Sequence, residues 1–219
     1  MDFFIIIVIS YVVGSLPTSI IVARKAAGID IREHGSGNAG MSNVVRVVGL
    51  KWGVVVGVVD IMKGWLSTSW IPTLILGSGH GVDLSLVRIA AGGAAVLGHT
   101  YTIFARFRGG KGIATLAGMM TALYPTAVLI CLVTFGATFM IWGYVSVSSM
   151  TASVTLPLSI LTLPWAGLPP PPQPLLIFSL AVPLFVFFTH RDNIGRLRDG
   201  TEKRFDRAAL LGRKGAGDG

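Results

Sequence analysis

The sequence predicts an all-α, polytopic integral membrane protein with seven transmembrane helices, an external N-terminus and a cytoplasmic C-terminus. Of its 219 residues, 52% are hydrophobic and only 13% are charged, whereas soluble domains carry about 25% charged residues. Several apolar runs reach the ~20 residues that a helix needs to cross a hydrocarbon core. We expect one membrane-embedded domain over residues 1–219, with a mobile tail from about residue 207.

Basic residues are concentrated in three polar segments, which hold 16 of the 18 lysines and arginines. The positive-inside rule places all three segments on the cytoplasmic side. This distribution accounts for the net charge of +8, so we predict membrane lipids as partners, no nucleic acid and no obligatory protein partner. Cys131 is the single cysteine, and no His, Asp or Glu cluster has metal-ligand spacing. No disulfide, metal or other cofactor is therefore predicted.

The predicted spans follow the apolar runs in chain order. Arg24 and Lys25 come directly after the first run, which favours a retained helix over a cleaved signal peptide. Residues 24–43 are then a cytoplasmic loop, and residues 77–83, with His80, are an outer loop. The seven spans are residues 3–23, 44–76, 84–103, 113–124, 126–142, 147–163 and 175–190.

The long uncharged stretch from residue 113 to His190 sets the number of spans in the second half. Both of its flanks are basic, so an even number of spans must fit between them, and two helices would leave very long loops. Pro125, residues 143–149 and the proline-rich residues 169–174 mark the breaks between four helices. At Pro125 the alternatives of a chain break and a helix kink stay open.

The second span carries small and charged residues on one helical face. Gly53, Gly57, Asp60 and Gly64 recur at intervals of four, three and four residues, a pattern that allows close helix contact in lipid. Asp60 and Lys63 are three residues apart and can pair. We expect that pair to have a structural role.

Each polar segment contains groups that bind anions. In the first, a glycine-rich turn at residues 35–43 can direct backbone N–H groups at an oxyanion, and Arg46 offers a planar fork for phosphate. In the second, Lys111 lies within residues 109–112, whose amides precede an apolar helix and can hold phosphate at its N-terminus. The predicted topology places both segments on the same membrane face as the third polar segment.

The third polar segment combines a histidine, an amide and an ion pair. His190 and Asn193 are three residues apart and can meet one ligand together. Glu202, close in sequence to Arg196 and Arg198, is predicted to be a structural ion-pair member.

The three segments resemble the signature motifs of bacterial acyl-phosphate:glycerol-3-phosphate acyltransferases of the PlsY type. The resemblance covers nearly the whole chain, with the motifs in the same order. Met41-Ser42 departs from the usual Ala-Thr of the family, and Thr102 stands where proline is common. The matching residues are Gly35-Ser36-Gly37-Asn38, Asn43 and Arg46; then Gly98-His99, Phe104, Phe107-Arg108-Gly109-Gly110-Lys111-Gly112 and Thr115; and then His190-Arg191, Asn193-Ile194, Arg196-Leu197, Gly200 and Glu202.

The resemblance implies a seven-helix enzyme of the bacterial cytoplasmic membrane with its active site on the cytoplasmic side. It would transfer a fatty acyl group from acyl phosphate to the 1-hydroxyl of sn-glycerol 3-phosphate, forming lysophosphatidic acid and phosphate in phospholipid biosynthesis. The implied catalytic residues are Ser36, Arg46, His190 and Asn193. The implied acyl-phosphate site is Ser36, Gly37, Asn38, Ser42, Asn43 and Arg46. The implied glycerol 3-phosphate site is His99, Gly109, Gly110, Lys111, Gly112, Thr115 and Asn193.

Two alternatives stay open at the level of sequence. A transporter for a phosphorylated metabolite would also need anion sites, although transporters place them near the midplane between repeated halves, and no repeat is evident. Within the acyltransferase hypothesis, His190 or a substrate phosphate could be the general base. Direct transfer is favoured over a covalent acyl-Ser36, since no base and orienting group accompany that serine.

Overall fold

The structure, a computed structural model, describes residues 1–76 and 83–205 and is all-helical in those residues. The predicted all-α class is therefore confirmed for the described residues. Three short 3-10 helices accompany the α-helices at Ile31–Glu33, Ile103–Ala105 and Leu163–Ala166. The α-helices are α1 Asp2–Gly14, α2 Thr18–Ala27, α3 Met41–Val47, α4 Leu50–Leu76, α5 Leu84–Thr100, α6 Ile113–Leu123, α7 Pro125–Trp142, α8 Val145–Thr162, α9 Gln173–Thr189 and α10 Arg191–Arg198.

Four described helical stretches are long and apolar enough to cross a membrane: Asp2–Ala27, Leu50–Leu76, Pro125–Trp142 and Val145–Ala166. A fifth is formed if α9 and α10, which meet at a 57° bend, count as one span. Helices α5 and α6 are shorter, at 17 and 11 residues. Each of the seven predicted segments contains a helix, but the number of spans and their orientation stay predictions.

The first helical stretch differs from its predicted boundaries. It is interrupted between Gly14 and Thr18, where Pro17 lacks an N–H group and cannot continue the helix ladder. It then runs on to Ala27 and ends at Gly28 in the left-handed conformation, with φ of 68°. The prediction that a loop begins at residue 24 is therefore wrong.

The second predicted span is likewise divided. Gly49, with φ of 114°, separates α3 from α4. Because α3 begins at Met41, residues 41–43 and Arg46 are helical, whereas the sequence placed residues 24–43 in a loop. The first turn of α3 thus presents part of the first polar segment.

The breaks predicted in the second half are confirmed with small shifts. Pro125 is the first residue of α7, so it separates two helices and does not kink one. Gly143, with φ of 73°, ends α7, and α8 begins at Val145, two residues before the predicted start. Pro172 has extended backbone angles, and α9 begins directly after it. The predicted outer loop at residues 77–83, with His80, lies outside the described residues except for Asp83, as does the tail from residue 207.

Glycines bring helix backbones into contact. A Cβ placed on Gly64 would lie 1.9 Å from the Thr115 carbonyl oxygen, and one on Gly118 would lie 1.9 Å from the Ile61 carbonyl oxygen. Helices α4 and α6 therefore touch along both backbones. The predicted small-residue face of α4 is confirmed, since Gly53 packs against α3 in the same way.

The outer surface is apolar, as a lipid-facing surface should be. Leu184, Val133 and Leu129 are 75%, 73% and 63% exposed on α9 and α7. The interior combines apolar clusters with many buried serines and threonines. Several of these hydroxyls donate to carbonyls of the preceding helical turn, as Ser148 does to Tyr144, which satisfies them without water.

Candidate active site

The three polar segments meet at one cavity of about 270 Å³. Helices α3, α4, α5, α6, α7, α8 and α10 all contribute to its walls. The predicted site residues that line it are Ser36, Asn38, Ser42, Arg46, Asp60, His99, Lys111, Gly112, His190, Asn193 and Glu202. The predicted site residues outside its lining are Gly37, Asn43, Lys63, Gly109, Gly110 and Thr115.

Asn43 holds the first polar segment together and does not face the cavity. Its side chain is fully buried, and its Oδ1 accepts a hydrogen bond from the Ser36 amide at 2.8 Å. Its Nδ2 lies 3.1 Å from the carbonyl oxygen of Ile31, 2.9 Å from that of His34 and 3.1 Å from that of Asn38. These backbone contacts give Asn43 a structural role in the segment, and its implied contact with acyl phosphate stays a prediction.

The glycines of this segment shape the turn. The Gly37 N–H donates to the His34 carbonyl at 3.0 Å, and the Ser36 N–H donates to Asn43. Gly35 and Gly37 both have positive φ, which only glycine adopts without strain. These two amides are thus engaged within the loop, whereas those of Asn38, Ala39, Met41 and Ser42 have no acceptor among the described residues. The segment also presents the side chains of Ser36, Asn38 and Ser42 to the cavity.

Gly109 and Gly110 allow a close approach to the end of α5. Their N–H groups donate to the carbonyl oxygens of Thr100 and His99 at 3.0 and 3.1 Å. A Cβ on Gly109 would lie 1.9 Å from the His99 carbonyl oxygen. Both amides are thus engaged with the end of α5, and their predicted role in phosphate binding stays a prediction.

The next two amides are better placed for an anion. Within residues 1–76 and 83–205, the N–H groups of Lys111 and Gly112 have no hydrogen-bond acceptor. Gly112 is the N-cap of α6, so both amides precede the positive end of the helix dipole. Of the four amides that the sequence indicated, the last two are therefore the candidates for holding an anion.

A hydrogen-bond chain joins the second and third polar segments. The Lys111 ammonium donates to Asn193 Oδ1, and Asn193 Nδ2 donates to Glu202 Oε1 at 2.6 Å. Glu202 also accepts from Ser146 Oγ at 2.7 Å and from Arg196 Nε at 2.7 Å. Burial raises the pKa of Glu202, but these donors bring it below its ordinary value. The predicted Glu202 ion pair is confirmed, and Ser146 is a partner that the sequence did not indicate.

Burial changes the protonation of Lys111 at the cavity. It lowers the pKa of Lys111 to about 8, although the charge of Glu202 acts in the opposite direction. His190 is oriented by a hydrogen bond instead. Its Nδ1 lies 2.8 Å from the Val186 carbonyl oxygen, which places a ring proton on Nδ1 and leaves Nε2 as the acceptor of the neutral ring.

Asp60, Lys63 and His99 form a buried charged cluster beside the cavity. Lys63 Nζ lies 2.8 Å from Asp60 Oδ1, 2.9 Å from the Leu16 carbonyl oxygen and 3.3 Å from His99 Nδ1. The predicted Asp60–Lys63 pair is confirmed. Asp60 and His99 line the cavity and Lys63 does not. The lysine therefore neutralises the Asp60 carboxylate from the side away from the cavity.

Thr115 lies at the contact between α4 and α6. Its side chain is fully buried, and its hydroxyl has no hydrogen-bond partner among the described residues. It is absent from the cavity lining, and its implied contact with glycerol 3-phosphate stays a prediction.

An apolar extension joins the polar cavity. A second space of about 100 Å³ lies between α6, α7, α8 and α9 and is lined almost entirely by apolar atoms. Ile113, Ala117, Leu132, Phe135 and Ser149 line both spaces. The combined site therefore has a polar end and a hydrocarbon-like end.

Comparisons with known proteins agree with this geometry. A family model described as "Glycerol-3-phosphate acyltransferase" matches residues 4–200. The curated glycerol-3-phosphate acyltransferase of Geotalea daltonii is 41% identical over 204 residues, covering 93% of this chain and 97% of the relative. That of Chlorobaculum tepidum is 39% identical over 226 residues, with the same two coverages of 93% and 97%.

Two crystal structures of PlsY (YgiH), an integral membrane glycerol 3-phosphate acyltransferase, share the fold. The glycerol 3-phosphate form has a TM-score of 0.81 and 34% identity, covering 96% of this chain and 99% of the other. The lysophosphatidic acid form has a TM-score of 0.80 and 32% identity, covering 97% and 100%.

Proposed function

This chain belongs to the glycerol-3-phosphate acyltransferase family, and from that premise we propose that it uses acyl phosphate as its acyl donor. It is an integral membrane acyltransferase that acylates glycerol 3-phosphate in phospholipid synthesis. The transporter alternative is accordingly set aside. The donor, the residue roles and the membrane orientation are the subject of the proposal.

The observation that carries the donor assignment is the union of a polar cavity with an apolar extension. An acyl phosphate is an amphipathic anion, so its chain fits the extension and its phosphate fits the polar end. Two phosphorylated substrates need two cationic groups, and Arg46 and Lys111 come to the same cavity from different segments. We assign Arg46, with Ser36, Asn38 and Ser42, to the donor phosphate.

Glycerol 3-phosphate is assigned to the opposite wall. Lys111 offers a point charge beside its own free amide and that of Gly112. Asn193 and His99 line the same cavity and supply polar side chains for the glycerol hydroxyls. Gly110 supports this wall indirectly, since a Cβ there would lie 2.3 Å from His99 Nε2.

Direct transfer follows from the chemistry of the donor. The 1-hydroxyl oxygen attacks the acyl carbonyl carbon, a new C–O bond forms, and the anhydride C–O bond breaks with release of phosphate. A substrate phosphate, with a second pKa of about 6, can accept the hydroxyl proton, and we assign it that role. His190 Nδ1 faces the Val186 carbonyl oxygen, so His190 Nε2 is left to accept a hydrogen bond from the other glycerol hydroxyl and to position the acceptor.

The proposal retains the seven-span topology, with the N-terminus outside and the C-terminus in the cytoplasm. It is supported by the concentration of basic residues in the three segments that meet at the cavity. The active site then faces the cytoplasm at the inner membrane of a bacterium, and the chain functions as one domain without an obligatory protein partner.

The test is a phosphate-release and product assay on purified protein in detergent. Palmitoyl phosphate and glycerol 3-phosphate together are expected to give equal amounts of phosphate and lysophosphatidic acid, and either alone to give none. Lys111→Ala is expected to raise the KM for glycerol 3-phosphate while the KM for palmitoyl phosphate stays near the parent value. Product formation from palmitoyl coenzyme A but not from palmitoyl phosphate would overturn the donor assignment.

A further inference from the structure

The segment from Glu202 to Phe205 follows the last polar segment and crosses to the first. The Lys203 ammonium donates to the Gly35 carbonyl oxygen. Two residues later, the Phe205 N–H donates to the Gly143 carbonyl oxygen at 2.9 Å, at the end of α7. The segment therefore spans from the glycine-rich turn to the connection between α7 and α8.

Arg46 is held by two groups of this segment. Its Nη2 donates to the Lys203 carbonyl oxygen at 3.3 Å, and its guanidinium carbon lies 4.5 Å from the centroid of the Phe205 ring. A guanidinium has five N–H donors, and among the described residues this is the hydrogen bond that Arg46 makes. Its other donors have no partner within residues 1–76 and 83–205, and the side chain lines the cavity.

Contacts with other parts of the chain hold the Phe205 ring in place. It packs edge-on against Phe139 of α7, with ring centroids 5.8 Å apart and an angle of 67° between planes. Its backbone is tied to Gly143, and Glu202 upstream accepts three hydrogen bonds. A rigid aromatic face thus lies against a long, flexible side chain.

We propose that Phe205 is a positioning residue for acyl transfer, because its ring and the Lys203 carbonyl hold the Arg46 guanidinium toward the donor phosphate. The inference rests on the proposed function, in which Arg46 contacts that phosphate. An arginine ordered before the substrate arrives loses less side-chain entropy on binding. The aromatic face also supplies a contact that needs no hydrogen-bond donor of the guanidinium.

A second cation–π contact supplies the matched control. The Arg191 guanidinium carbon lies 4.7 Å from the Phe188 ring centroid. It has the same chemistry and nearly the same distance, but neither residue lines the cavity. Loss of the Phe188 ring therefore removes an equivalent contact without affecting the donor end.

The experiment compares Phe205→Leu, Phe205→Tyr and Phe188→Leu by steady-state phosphate release. Phe205→Leu is expected to raise the KM for palmitoyl phosphate about two- to fivefold, the effect of one partly exposed cation–π contact, with the KM for glycerol 3-phosphate unchanged. Phe205→Tyr keeps the aromatic face and is expected to retain the parent KM, as is Phe188→Leu. An unchanged donor KM in Phe205→Leu, or an equal rise in Phe205→Tyr, overturns the inference.

A double-mutant cycle with Arg46→Ala separates this inference from the proposed function. If Phe205 acts through Arg46, Phe205→Leu has no further effect on the donor KM once the arginine is gone. A full additional rise in the double variant overturns the inference. If Arg46→Ala alone leaves the donor KM unchanged, the donor assignment itself fails. If it raises the donor KM and Phe205→Leu does not, only the role of Phe205 fails.

Discussion

Replacing Asn43 with aspartate reverses the hydrogen-bonding character of one side-chain atom at the centre of the first polar segment. The variant keeps the size of the side chain and retains the acceptor for the Ser36 amide. It exchanges the Nδ2 donor for an oxygen that faces the carbonyl oxygens of Ile31, His34 and Asn38. We expect Asn43→Asp to lose both stability and activity.

The magnitude follows from the number of donors lost. An amide nitrogen carries two hydrogens, so two of the three carbonyls lose a partner at any instant, and each unpaired buried acceptor costs about 1–3 kcal/mol. The sum is about 2–6 kcal/mol, and the lower half of that range applies because the bonds to His34 and Asn38 are only part-buried. For a chain of this size each kcal/mol shifts the melting temperature by about 2–4 °C.

The measurement is the melting temperature in detergent, together with phosphate release. Asn38→Asp is the matched control, because Asn38 belongs to the same segment and lines the cavity, and no hydrogen bond of its side chain occurs within the described residues. We expect Asn43→Asp to melt at least about 4 °C lower and Asn38→Asp to melt near the parent temperature. Equal melting temperatures of Asn43→Asp and the parent would refute the role given to the amide.

Two further predictions concern charge and packing. Because the pKa of Lys111 is lowered to about 8, its ammonium is lost as pH rises through that value, and the KM for glycerol 3-phosphate should rise there. Lys111→Arg should abolish this rise. A KM that does not change with pH in the parent would contradict the assignment of Lys111 to glycerol 3-phosphate. Gly118→Ala should melt well below the parent, since its Cβ would lie 1.9 Å from the Ile61 carbonyl oxygen and overpacking costs about 1–3 kcal/mol. Gly136→Ala, with nothing within 4 Å, is its control, and equal melting temperatures of the two variants would contradict the close packing of α4 on α6.

Hydropathy and charge were sufficient to predict where helices lie and which segments meet. Composition excluded a soluble fold, and the basic residues indicated which three segments share a face. The predicted helix boundaries are wrong where polar residues continue a helix. Arg24 and Lys25 are in α2, because a helix can extend beyond the hydrocarbon core before a glycine ends it. Residues 41–43 likewise begin α3 where the sequence predicted a loop, whereas Arg46 lies in a helix as predicted.

The roles of the glycines and of the Asn43 side-chain amide could not be predicted from residue type alone. Glycine serves equally for amides that face an anion and for two backbones in contact, and Gly109 and Gly110 serve the second purpose. Asn43 matches a motif of the family, but only the folded structure reveals that its side chain is buried and hydrogen-bonded to backbone groups. Ser146 and Phe205 escaped notice because tertiary contacts over long sequence separations bring them to the site, 56 residues from Glu202 in the case of Ser146.

The contact of Lys203 with Gly35 joins residues 168 positions apart in the chain. During translation at about 5–20 residues per second, Gly35 is made roughly 8–34 s before Lys203. Until then the glycine-rich turn and Arg46 lack the contacts that Lys203 and Phe205 supply. Closure of the donor end therefore has to follow synthesis of all the described helices, so a nascent chain lacks its complete site until α10 and the residues after it have been made.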